Sequence, residues 1–220
     1  MADRSEFREN LYQRLATILI GLPLVISTIL LSWWSTAVLM VIVIGLATLE
    51  YIHIIQQGPS VAWHDVGFGI IYLGLPVVSA LWLRAQPEGS AWFLVTLAGN
   101  WTSDSAAYLF GSWLGHTPFM PHISPKKTWA GTIGGLVSGG LATLGLAALL
   151  GVFQTPAVWL LAGLLPVASI IGDLLESRLK RRFAVKDSGH LLPGHGGILD
   201  RIDGTLITLP VAALVVLLLV

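Results

Sequence analysis

Cysteine is absent from the 220 residues, which rules out disulfides, thiolate metal ligands and a cysteine nucleophile. Charge is scarce as well: Asp, Glu, Lys and Arg make up 11% of the chain and cancel to a formal net charge of zero. Bulk charge therefore says nothing about partners, nothing points to nucleic acid, and any information lies in where the charges are placed. Polar surface is also lacking. Hydrophobic residues make up 55% of the chain and the mean hydropathy is +0.79, and a water-facing domain is not built that way. The first apolar run is not followed by the small-residue cleavage pattern of a secretory leader, so it reads as a retained helix.

What the chain has in quantity is long apolar segments. Seven are legible: Leu15–Leu31, Trp33–Ile55, Val66–Leu83, Ala91–Leu114, Trp129–Phe153, Ala157–Leu179 and Ile202–Val220. A helix needs about 20 residues to cross the hydrocarbon core, and the run of spans leaves no room for a soluble domain. The expected fold is an all-α integral membrane protein, a polytopic helical bundle of about seven transmembrane helices. Residues 1–220 form a single membrane domain, with N-terminal spans in 1–95 and a catalytic half in 96–220. If the N-terminus is cytoplasmic, all but Arg84 of the 12 Lys and Arg fall in or beside residues 1–14, 56–65, 115–128 and 180–201. That is the asymmetry of the positive-inside rule, and it puts the polar loops 115–128 and 180–201 on the cytoplasmic face. Gly131, Gly134, Gly135, Gly139, Gly140 and Gly145 give the fifth span a surface for close helix packing. The tryptophans, mostly near span ends, read as interfacial anchors.

Ionisable groups inside spans are costly, so each one needs a reason. Four acids qualify: Glu50, Asp104, Asp173 and Glu176. Glu50 has His53 nearby on its own helix as a local partner. Asp104 is surrounded by Asn100, Thr102, Ser103, Ser105 and Tyr108, so its helix is expected to face a polar cavity. Asp173, Glu176 and Ser177 share one helix face. A local pair with Lys180 accounts for Glu176 but leaves Asp173 unexplained. The following loop carries Lys186, Asp187, Gly189 and His190, then Pro193-Gly194-His195-Gly196-Gly197 and Asp200-Arg201-Ile202-Asp203. Glycines that permit close backbone approach, beside Lys, Arg and His, suit a polyphosphate. Carboxylates interleaved with them suit magnesium, which is commonly held by one or two acids together with substrate oxygens. Attraction to anionic headgroups explains the cations alone, but not the acids and glycines between them. Ser124-Pro125-Lys126-Lys127-Thr128-Trp129 is a candidate second wall on the same face.

Several motifs occur together: Gly172-Asp173-Leu174-x-Glu176-Ser177-x-x-Lys180-Arg181, Lys186-Asp187-x-Gly189, Pro193-Gly194-His195-Gly196-Gly197 and Asp200-Arg201-x-Asp203. With Ile123 to Trp129, and more loosely Asp104-x-x-Ala107-Tyr108-x-x-Gly111, they resemble the phosphatidate cytidylyltransferase (CDP-diglyceride synthase) family of bacterial type. The resemblance covers about residues 100 to 210. It departs from the family pattern at Ala130, where Glu is usual, and at Ser105-Ala106, where Thr-Gly is usual.

The resemblance implies a nucleotidyltransferase of the bacterial cytoplasmic (inner) membrane, with its active site facing the cytoplasm. It would join CTP to phosphatidic acid, giving CDP-diacylglycerol and pyrophosphate for phospholipid biosynthesis, with Mg2+ as one or two ions. Asp173 and Asp200, with Asp104, are the expected metal ligands, and Asp173, Asp200, Asp203 and Lys186 the expected catalytic set. Ser124, Lys126, Lys127, Thr128, Ser177, Lys180, Arg181, Gly194, His195, Gly196, Gly197 and Arg201 are expected to bind substrate. The partners implied are CTP, phosphatidic acid and membrane lipids, and a homodimer is compatible with all of this. A CTP-dependent lipid kinase of polyprenol or dolichol type would present similar features. A transporter would explain intramembrane acids, but not the loop of paired aspartates, glycines and cations.

Overall fold

The computed structural model describes residues 19–58, 60–121, 123–185, 187–189 and 196–220. These form helices α1 (Leu19–Leu31) and α2 (Trp33–Gln56), then α3 (Trp63–Ala85) and α4 (Gly89–Leu114). A short hairpin, β1 (Pro118–Met120) and β2 (Ser124–Thr128), precedes α5 (Trp129–Leu149), α6 (Pro156–Arg182) and α7 (Leu199–Leu219). The helical segments fall where the apolar pattern placed them. Five are long and apolar enough to cross a membrane: α2, α3, α5, α6 and α7. The described part of α1 is shorter, and α4, although 26 residues long, is not among the five.

Local sequence sets the helix starts. Ser32 alone joins α1 to α2, and it forms a capping box in which the Ser35 amide donates to the Ser32 hydroxyl at 3.0 Å and the Ser32 amide returns a bond to Ser35 Oγ at 3.0 Å. Asp65 in the first turn of α3 accepts from the Ala62 amide at 3.1 Å. Pro156 opens α6, where its missing N–H costs nothing. The sequence predicts a loop over 115–128; within it β1 and β2 pair antiparallel, with Pro118 opposite Thr128 and Met120 opposite Ser124. Thr128 ends the hairpin and caps α5, its hydroxyl accepting from the Gly131 amide at 3.2 Å.

Helix α4 packs against α3, α5, α6 and α7. Burial inside protein accounts for part of its polar content, because Thr96, Asn100 and Ser103 are buried, whereas Asp104 and Ser105 are exposed. The α5 glycines explain how α4 comes so close. A Cβ on Gly131 would lie 2.5 Å from the Ala107 carbonyl, one on Gly135 2.8 Å from that of Ser103, and one on Gly139 2.8 Å from that of Gly99. Gly145 faces open space and takes no part in this contact. Most tryptophans named as anchors are outward-facing, including Trp34, Trp63, Trp113 and Trp129; Trp92 is an exception, buried among Leu83, Val95 and Leu161.

Helices α6 and α7 cross at Gly172. A Cβ there would collide with the Asp203 carbonyl and approach Gly204 Cα to 2.7 Å. Gly172→Ala is accordingly expected to lower stability by about 1–3 kcal/mol, the usual effect of overpacking. The thermal midpoint of the detergent-solubilised variant checks this, and an unchanged midpoint would mean that the crossing is looser than described.

Three contacts, with the approach of Gly131 to Ala107 and Gly111, show that the C-terminal ends of α2, α4 and α6 and the N-terminal ends of α3, α5 and α7 gather at one end of the bundle. Arg182 pairs with Asp65 at 2.7 Å, Lys127 with Asp173 at 2.5 Å, and the Leu199 amide donates to Glu50 at 2.8 Å. At the opposite end Trp33 Nε1 donates to the Leu81 carbonyl and Arg84 Nε to the Ile29 carbonyl, both at 3.0 Å. Arg84, the cation that the charge asymmetry set apart, thus closes an open carbonyl of α1.

Candidate active site

Two acidic centres are strung along α6. In the first, Asp173 meets Lys127 of β2 at 2.5 Å and receives the Ser177 hydroxyl at 3.4 Å. One turn away on α6, Ser169 donates to Asp104 of α4 at 2.6 Å. Asp203 of α7 is buried, accepts from the Gly204 amide at 2.7 Å, and lies near enough to Asp173 and Asp104 for their charges to interact. A cavity of about 330 Å³ opens beside this group, lined by Asp104, Tyr108, Ser112, Lys126, Lys127, Thr128 and Asp173 among others. The cavity-facing helix expected from Asp104 and its neighbours is therefore present; of the two polar loops, 115–128 lines this cavity through Lys126, Lys127 and Thr128, and its facing wall is α6 at Ile170 and Asp173 rather than the loop 180–201.

In the second centre, Lys180 lies between Glu176 at 2.6 Å and Asp200 at 2.7 Å. The other oxygen of Asp200 accepts from the Ser188 amide at 3.2 Å and the Gly197 amide at 3.1 Å. The local Glu176–Lys180 pair read from the sequence is real. It is half of a bridge, and Lys180 is spent on two buried acids in this state rather than presented to solvent. Asp200 belongs to this centre and Asp173 and Asp104 to the first.

The remaining expected site residues are spread around these centres. Ser124 is on β2, Ser177 is half-buried on α6, and Arg181 and Arg201 are exposed, the charge of Arg201 reaching Asp104. Gly196 has a left-handed backbone, φ +82°. Lys186, Gly194 and His195 lie outside the described residues.

Glu50 departs from its local reading. Its carboxylate receives the Ser188 hydroxyl at 3.2 Å, the Ile198 amide at 3.0 Å and the Leu199 amide at 2.8 Å. His53 instead meets Gln57 at 3.4 Å. The partners of Glu50 are more than a hundred residues away, so no local pattern could reveal them, although its position as an acid inside a span was a signal. Also missed was Asp65, which holds Arg182 while its carbonyl accepts from the Tyr51 hydroxyl at 2.7 Å.

The first centre brings together carboxyl groups from three helices, the donor type that a hard divalent cation takes, with Lys127 in contact with Asp173. Among the described residues, no group of three or more His, Asp or Glu is arranged closely enough to hold an ion.

Comparison with known proteins converges on the same region. Over 140 residues the chain is 46% identical to the phosphatidate cytidylyltransferase of Brucella suis biovar 1 (strain 1330), covering 62% of this chain and 51% of the relative. Over 154 residues it is 41% identical to the phosphatidate cytidylyltransferase of Staphylococcus aureus (strain COL), covering 69% of this chain and 54% of the relative. The chain thus spans about half the length of the curated relatives it matches. Residues 56–219 match the sequence model of the cytidylyltransferase family. That match takes in the hairpin, both acidic centres and all of α3 to α7, and the chain belongs to the cytidylyltransferase family.

Proposed function

We propose that the chain carries CTP-dependent cytidylyl transfer to phosphatidic acid, giving CDP-diacylglycerol and pyrophosphate in phospholipid synthesis. The observation that carries this reading is the cavity in which Lys126 and Lys127 stand beside Asp104 and Asp173 at one end of an apolar bundle. Cations for phosphate and acids for a metal meet there, where a nucleotide can arrive from water and a lipid headgroup from the bilayer. The names of the relatives support the same reaction.

An oxygen of the lipid phosphomonoester attacks the α-phosphorus of CTP, and the bond to the β-phosphate breaks to release pyrophosphate. The attacking phosphate is already ionised near neutral pH, so no general base is required. Catalysis then rests on positioning and on stabilising charge. Lys126 and Lys127 hold phosphate oxygens at the cavity mouth. Asp173 and Asp104, with Asp203 behind them, would hold Mg2+, and the ion would supply charge neutralisation for the triphosphate. Asp200 is fixed by Lys180 and by the amides of Ser188 and Gly197. Seven spans with the N-terminus inside would turn this end of the bundle to the cytoplasm, in the bacterial inner membrane, where CTP is available.

The test is incubation of the purified protein with Mg2+, CTP labelled at the α-phosphate, and phosphatidic acid vesicles. Label should enter the lipid fraction with one equivalent of pyrophosphate. Label retained in released CDP would overturn the reading in favour of a lipid kinase, which transfers the γ-phosphate to a hydroxyl.

A further inference from the structure

We infer that Glu50 is a positioning residue: from α2 its carboxylate fixes the start of α7 and, through Ser188, the placement of Asp200. The inference rests on the transfer reading for its activity readout. Glu50 lies outside the stretch 56–219 that matches the family, and it is only 5% exposed.

A buried carboxylate is costly unless it is well hydrogen-bonded, and Glu50 receives three donors, all from the 188–199 segment. Two of these are backbone amides at the first turn of α7, where a helix has four N–H groups without internal partners. Ile198, at the cap position, has no side-chain group to receive them. A carboxylate from another helix does so instead, and its negative charge also suits the positive end of α7.

The chain wraps this carboxylate closely enough to require glycine. A Cβ on Gly189 would lie 2.6 Å from Glu50 Oε1, and one on Gly197 would lie 2.7 Å from Oε2. Gly189 and Gly197, whose type was read from sequence as room for phosphate, are thus also accounted for by Glu50.

From Glu50 the bonding continues to the second acidic centre. The Ser188 hydroxyl donates to Glu50, which leaves its lone pair to accept the Asp200 amide at 3.3 Å. The Ser188 amide in turn donates to Asp200 Oδ2 at 3.2 Å. The Gly197 amide donates to the same oxygen at 3.1 Å and Lys180 to the other at 2.7 Å, so two of the three groups on the Asp200 carboxylate, the Ser188 and Gly197 amides, belong to residues packed against Glu50.

Glu50→Gln tests this with little change of shape, because a carboxamide must turn an NH2 toward donors. Amide hydrogen exchange in detergent reads the latch without substrate, and exchange over residues 196–200 should quicken about tenfold or more while α4 and α5 stay protected. In the labelling assay, kcat per folded molecule should fall about 10- to 100-fold, with KM for the lipid unchanged. Unchanged exchange over 196–200 overturns the inference, as does quickened exchange with a wild-type kcat. A wild-type protein that never labels lipid would overturn the proposed function, and the exchange measurement would still decide whether Glu50 holds the α7 start.

Discussion

Asp173→Asn should lower cytidylyl transfer by about 10³-fold while leaving the bundle folded. The carboxylate faces the cavity, and its pair with Lys127 is partly open to solvent on both sides, 35% and 23% exposed. Ion pairs of that kind contribute about 0–1 kcal/mol to stability, so the thermal midpoint should barely move. What the asparagine removes is one of three neighbouring carboxyl groups from α4, α6 and α7, together with the counter-charge that holds Lys127 at the cavity wall. Loss of a preorganised charged group at a site of developing charge commonly costs about 10²–10³ in rate, and the proposed double role of Asp173, toward a metal and toward Lys127, places the expectation at the upper end. Label transfer from CTP to lipid, normalised to folded protein, measures it. A variant transferring at the wild-type rate would remove Asp173 from the site.

Lys180→Met should have the opposite profile, acting first on folding. Glu176 and Asp200 are 2% and 12% exposed, and Lys180 is the cation in contact with both. Its removal leaves two acids facing one another with little water. Breaking a buried ion pair from one side costs about 3–5 kcal/mol, against a total stability of about 5–15 kcal/mol for a typical protein. The single variant should therefore yield little monodisperse protein on size-exclusion chromatography. Adding Glu176→Gln removes one of the orphaned charges and should recover much of the folded yield. A single variant as stable as the wild type would show that the bridge is not what neutralises these acids.

The bundle was legible because apolar length is a strong and local signal: α2 and α5 begin at Trp33 and Trp129, where the apolar pattern put them. The polar cavity was legible for the complementary reason, since Asp104 and its hydroxyl neighbours have no use against lipid. The division of labour among the acids was not. Asp173 and Asp200 look alike in sequence, each standing three residues before a second acid, Glu176 and Asp203. Only the packing of α7 against α6 and α2 separates them, giving Asp200 to Lys180 and Asp173 to the hairpin lysine. Glu50 was hidden for the same reason: intrahelical spacing offered His53, whereas tertiary structure supplied two helix-terminal amides and a serine.

The low apolarity of α4 has a consequence for biogenesis. An aspartate at the middle of a lone helix disfavours insertion by about 2.5–3.5 kcal/mol, and α4 adds Asn100 and several hydroxyls to that penalty. By itself it is a poor substrate for the insertion machinery. The glycine face of α5, joined to α4 by the short hairpin, lets the two helices pack closely, and we expect them to enter the bilayer as a pair. Residues 131, 135 and 139 thus bear on whether the nascent chain acquires its topology at all, before any question of catalysis arises.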